Sequence, residues 1–125
     1  MGDGFRSAEE LTSFFHAHGG LHDVRLNQVS YDIDNETFVV SVDDLNANFA
    51  DTEEYVGERR CELLFEKAEA LKLDVENREG VCISEARILR SGSKWRLEID
   101  LRLGAGSFGG RSIVVLFEAL RIVDT

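Results

Sequence analysis

Between Arg25 and Arg59 the sequence contains no lysine or arginine, while nine carboxylates fall in the same interval: Asp32, Asp34, Glu36, Asp43, Asp44, Asp51, Glu53, Glu54 and Glu58. A surface of that sign repels nucleic acid and anionic membrane, so neither is expected as a partner, whereas a basic protein would be drawn to it. Cysteine is nearly absent as well. Cys61 and Cys82 are too few for a disulfide scaffold, lack a CxxC spacing, and read as small apolar core residues. No apolar run approaches the roughly 20 residues that cross a bilayer. The opening residues Met1 to Arg6 lack the apolar stretch of a secretory leader and position 6 is not the Ser or Thr of a myristoylation site, so a cytoplasmic protein is expected.

What remains is a 125-residue chain of 43% apolar and 30% charged residues, the size and composition of one soluble domain spanning 1–125. Its net charge of −10 is unevenly spread: residues 1–58 hold 13 acidic and 2 basic side chains, residues 59–125 hold 11 and 12. The excess belongs to the first half.

Ser7-Ala8-Glu9-Glu10 fits a capping box, and Ala8, Leu11, Phe14, Phe15 and His18 recur at helical spacing before Gly19-Gly20. These features predict a helix over 7–18. Beyond it the period falls to two. Val24, Leu26, Val29 and Tyr31 form a strand with a slip near Asn27, Asp34-Asn35 turns, and Phe38, Val40 and Val42 return as a hairpin. Residues 46–58 are polar and aperiodic, the mark of a long loop. Later, Val81 to Ile88 shift phase across a second bulge, Ser91-Gly92-Ser93 turns, and Trp95 to Leu103 alternate with charged residues. Residues 112–123 read as one strand buried on both sides or lying at the centre of a sheet.

Residues 59–76 are ambiguous. Glu62 to Leu73 are strong helix formers, yet Cys61, Leu63 and Phe65 alternate, as do Leu71, Leu73 and Val75. Overlaying the halves favours strand. At a shift of 57, Phe38, Val40 and Val42 fall on Trp95, Leu97 and Ile99; at 52, Leu64-Phe65-Glu66 fall on Leu116-Phe117-Glu118. The predicted architecture is therefore mainly β, a β-sandwich or flattened barrel. Two similar hairpin-plus-strand halves (21–76 and 81–124) would pack together beside one N-terminal helix. Residues 59–66 would be strand and continue past a bulge into 70–76; the alternative is α+β with a second helix near 62–72.

The succession of a short helix, Leu21-His22-Asp23 opening a strand, then a hairpin and a Leu-Phe-Glu strand twice over, resembles small bacterial immunity proteins of polymorphic toxin systems across residues 21–123. The resemblance implies an intracellular, non-enzymatic protein that neutralises a partner by binding it, and it carries over no contact residues.

Chemistry-bearing patterns do not assemble into a catalytic or metal centre. Gly104 to Gly109 spell GxGxxG, but a strand follows where a nucleotide site needs a helix N-terminus. His16, His18 and His22 would need a bend to converge, and Asp32 to Glu36 lack the glycine and terminal glutamate of a calcium loop. No cofactor is expected. The candidate partner-binding residues are Asp43, Asp44, Asp51, Glu53 and Glu54 of the acidic stretch, with Phe49 and Phe108 as apolar anchors on corresponding loops. Two other functions compete. One is a small-molecule carrier with Tyr31, Phe38 and Trp95 lining a barrel lumen; the other is a self-associating structural domain, monomer or homodimer, paired through exposed strand edges.

Overall fold

The computed structural model describes residues 3–5, 8–49, 52–53, 55–75, 81–103 and 111–125. It is a β-sandwich with one N-terminal helix. Strand β1 (Asp3–Phe5) precedes helix α1 (Ala8–Ala17), and β2 (Leu26–Asp32), β3 (Thr37–Val42), β4 (Cys61–Glu66) and β5 (Glu69–Leu73) make up the first half. The second half repeats that order with β6 (Val81–Ser91), β7 (Lys94–Leu103), β8 (Arg111–Phe117) and β9 (Ala119–Asp124). One sheet runs β1-β9-β4-β3-β2, the other β5-β8-β7-β6, and the pairs are antiparallel.

The two halves thus exchange their last strands. β5 leaves the sheet of its own half to pair with β8, and β9 leaves its half to pair with β4. Both exits follow the Leu-Phe-Glu segments, and Phe65 and Phe117 meet there edge to face with centroids 4.9 Å apart. Residues 62–72 form no helix: Cys61, Leu63 and Phe65 are buried while Glu62, Leu64 and Glu66 face outward. Burial on one side of a pleated strand outweighs the helix propensity of the residue types.

Two expectations change here. The join between β4 and β5 is a change of sheet at Lys67-Ala68, with Lys67 at φ +53°, and not a bulge within one strand. The apolar run 112–123 is likewise two strands, broken at exposed Glu118. The predicted slip near Asn27 is a register shift between Leu26 and Gln28, and the second falls between Ile83 and Glu85. β1 adds a strand that the alternation did not reveal.

α1 buries Leu11, Phe14 and Phe15 and ends where His18 Nδ1 donates to the Phe14 carbonyl at 2.9 Å. The chain then turns through Gly20, whose φ of +65° suits a residue without Cβ. Asp23 N donates to Ile83 O and Ile83 N to Val24 O, so the starts of β2 and β6 join the sheets at one corner. The interior between the sheets contains no buried polar or charged side chain among the described residues. No helix among the described residues is long and apolar enough to cross a membrane.

Cys61 is buried in this core, and burial pushes its thiol up to about 11. It is therefore expected to resist iodoacetamide in the native protein at pH 8 and to react once urea unfolds the chain; native labelling of Cys61 would contradict its placement. Because the folded state raises this pKa, the neutral thiol stabilises the fold fully below the ordinary thiol range. That contribution declines as pH rises toward about 11.

Candidate functional site

The long acidic loop between β3 and β4 is closed at its base. Leu45 N donates to Arg59 O at 2.9 Å, closing the two ends, and the Leu45 side chain is fully buried beneath them. Asp44 organises the closure. Its Oδ1 accepts from Asn46 N (2.9 Å) and Arg59 N (3.0 Å), and its Oδ2 accepts from Tyr55 Oη (2.7 Å). Asn46 Nδ2 reaches across to Gly57 O at 2.9 Å, and Thr52 donates through both N and Oγ1 to Phe49 O. Compact loops with closed ends and internal side-chain packing are Ω-loops, which frequently carry function.

The electrostatics follow from the same contacts. The Asp44 carboxylate accepting from Tyr55 holds that phenol above its usual pKa, because ionising it would place two negative charges together. Arg59 grips Asp124 through Nε (2.7 Å) and a terminal nitrogen (3.2 Å), which keeps the Asp124 carboxyl below its usual range and ties the loop to the end of β9. Asp43 faces Arg25 at 3.5 Å and Arg60 at 3.7 Å.

The predicted site residues therefore divide. Asp43 is partly neutralised by two arginines, and Asp44 spends both oxygens inside the loop. Phe49 is half-buried on a short 3-10 turn, Ala47–Phe49, and its carbonyl serves Thr52. Glu53 is exposed on the loop's outer side. Asp51, Glu54 and Phe108 lie outside the described residues, as does the glycine-rich segment 104–110.

Residue typing missed Val56. It is 84% exposed and is flanked by Glu53 and Glu58, both exposed. Single exposed apolar side chains are common on proteins; this one is the most exposed large apolar side chain among the described residues, and it lies in a stretch rich in carboxylates and free of Lys and Arg. The signal available in the sequence was a lone β-branched residue within an aperiodic acidic run, next to Gly57. That glycine takes φ +106° and turns the chain back toward Arg59.

Much of the charge on the second sheet is matched. On the outer face of the second sheet Arg87 pairs with Glu85 (3.1 Å), Glu98 (3.4 Å) and Asp100 (2.9 Å), and Arg96 pairs with Glu98 (2.8 Å). Arg102 pairs with Asp23, and Arg111 with Asp74 at 2.7 Å. The basic residues of the second half are largely engaged in this way, which leaves the loop as a place where negative charge is presented outward. Asp32 and Asn35 form a side-chain-closed turn, with Asn35 N and Nδ2 donating to the Asp32 carboxylate at 3.2 and 2.7 Å.

The residues named as carrier walls sit differently. Phe38 is fully buried between the rings of Tyr31 (6.3 Å) and Phe65 (6.0 Å), so these rings fill the interior at that point. A shallow open cleft of about 250 Å³ lies at the crossing end instead, lined by Tyr31, Glu36, Ala68, Glu69 and Lys94. Its polar groups fasten the crossing: Tyr31 Oη donates to Ala68 O at 3.4 Å and Lys94 Nζ to Lys67 O at 3.1 Å.

Comparison with protein families, with curated proteins and with solved structures finds no match for this chain.

Proposed function

We propose that this protein is a non-enzymatic, acidic interaction module of the cell interior that binds a basic partner protein through its Ω-loop. The observation that carries the proposal is Val56, an apolar side chain 84% exposed in an acidic stretch where Glu53 and Glu58 are exposed as well, on a loop whose base is closed by Asp44. A loop closed at its base has less conformational freedom to lose on binding, so less of its contact energy is offset by ordering. Its carboxylates would steer a basic surface toward it, raising the association rate at low salt. Neutralisation of that partner by occlusion, in the manner of the immunity proteins the chain order resembles, is the role we assign to the complex.

The experiment is capture from a lysate of the source cell by the immobilised chain, at low and at high salt, beside a Glu53→Lys/Glu58→Lys variant and a Val56→Asp variant. A basic protein retained at low salt, released at high salt and captured at least about tenfold less by the charge-reversed variant is the expected outcome. Retention indifferent to salt and to all three positions overturns the proposal, as does the absence of any retained protein.

A further inference from the structure

We propose that two copies of this chain pair edge to edge through β5, extending the second sheet across an isologous two-fold interface. This surface is separate from the Ω-loop and does not depend on the function proposed for it.

The near-symmetry of the halves shows what is missing at β5. In the first sheet, Leu64 and Leu63 of β4 pair with Arg121 and Ile122 of β9; in the second, Leu116 and Val115 of β8 pair with Glu69 and Ala70 of β5. β5 therefore stands where β9 stands. β9 is flanked on its other side by β1, with Gly4 against Arg121 and Asp3 against Ile122. The matching side of β5 pairs with no strand among the described residues. Two of the large apolar side chains exposed on this protein, Leu71 (47%) and Leu73 (46%), lie on this one five-residue strand.

The order of side chains along β5 selects its own copy. Glu69 pairs with Leu116 and Lys72 with Val114, both outward positions of β8, so Glu69 and Lys72 share the outer face of the sheet. They do so because the register shift between Ala70 and Lys72 removes Leu71 from the count. In an antiparallel pair whose two-fold axis passes through Ala70, with Leu71 left out of the pairing as it is against β8, Ala70 opposes Ala70 of the second copy. Glu69 opposes Lys72 on one side of that centre, and Lys72 opposes Glu69 on the other. Opposite charges directly across a pair stabilise it and like charges weaken it. Against an unrelated edge, Lys72 and the bulge guard this strand; against its own copy, Lys72 meets Glu69.

A five-residue pairing is a small interface, so the dimer should form reversibly in the micromolar to millimolar range. Sedimentation equilibrium on the full chain, from about 10 µM to 1 mM, tests it. Glu69→Lys and Lys72→Glu should each weaken dimerisation at least about tenfold, because symmetry places two like-charge contacts in each variant dimer. The double variant Glu69→Lys/Lys72→Glu should restore the association to within about threefold. Both residues are exposed, so circular dichroism and melting should be unchanged. A wild-type chain that stays monomeric throughout, or a dimer that neither single reversal weakens, overturns the proposal.

Discussion

Replacing Phe65 by alanine should remove about 3–5 kcal/mol of stability, the usual cost of deleting a fully buried aromatic ring without collapse around the cavity. Phe65 has no exposed surface and sits where both halves change sheets, with Phe38 on one side at 6.0 Å and Phe117 on the other at 4.9 Å. Its cross-strand partners Phe38 and Leu120 are also fully buried, so no neighbour can relax toward solvent to refill the gap. Against a domain stability of about 5–15 kcal/mol, the loss takes a large share. Urea unfolding followed by Trp95 fluorescence reads it directly, since Trp95 pairs with Phe117. Leu64→Ala in the same strand is the control. Leu64 faces outward and is half-buried, and its loss should cost about 1 kcal/mol. Equal costs for the two variants would mean that the crossing is not the centre of the core.

Asp44→Ala should have the next largest effect, about 2–3 kcal/mol, because one carboxylate answers two backbone N–H groups and a phenol at the mouth of the Ω-loop. Asp44→Asn keeps the shape and part of the bonding, and should lose less. The readout specific to this role is the ultraviolet titration of Tyr55. In the native protein its phenol ionises above the usual value near 10; in Asp44→Ala it should return toward that value. The sign is fixed by the geometry. The Tyr55 bond needs the protonated phenol, so its contribution is present below the ordinary tyrosine pKa and declines as pH rises through the raised one. If the loop also carries binding, Asp44→Ala should abolish partner capture without touching Glu53, Val56 or Glu58. An unshifted Tyr55 titration in Asp44→Ala would show that this bond does not hold the loop.

Much of the framework was legible because it depends on periodicity. The Leu11, Phe14 and Phe15 face, the alternation of Phe38, Val40 and Val42, and the phase slip beside Asn27 are local patterns, and each maps onto an element. The overlay of Leu64-Phe65-Glu66 on Leu116-Phe117-Glu118 assigned 59–66 to strand where propensity favoured helix. What periodicity could not show is a change of sheet. Residues 112–123 stay apolar across Glu118 because β8 and β9 are both interior strands, so hydrophobicity does not fall at the crossing. The candidate site was legible in charge and illegible in use. Composition located the carboxylates, but whether one faces water depends on residues distant in sequence, as with Asp43 against Arg25 and Arg60, or Asp44 against Tyr55 and Arg59. Val56 stands out only when exposure is known.

The exchange of final strands bears on how the chain reaches its native state. Residues 21–75 cannot complete their sheet until β9 has been made, and residues 81–125 cannot complete theirs without β5. The pairing of Cys61 with Asp124 spans half the chain. Loop closure on that scale comes before most of its reward, and topologies of such high contact order refold in milliseconds to seconds, slower than local helical folds of similar size. Stopped-flow refolding should show one slow cooperative phase. The halves, expressed as separate fragments, should be largely unstructured alone and gain structure only when mixed.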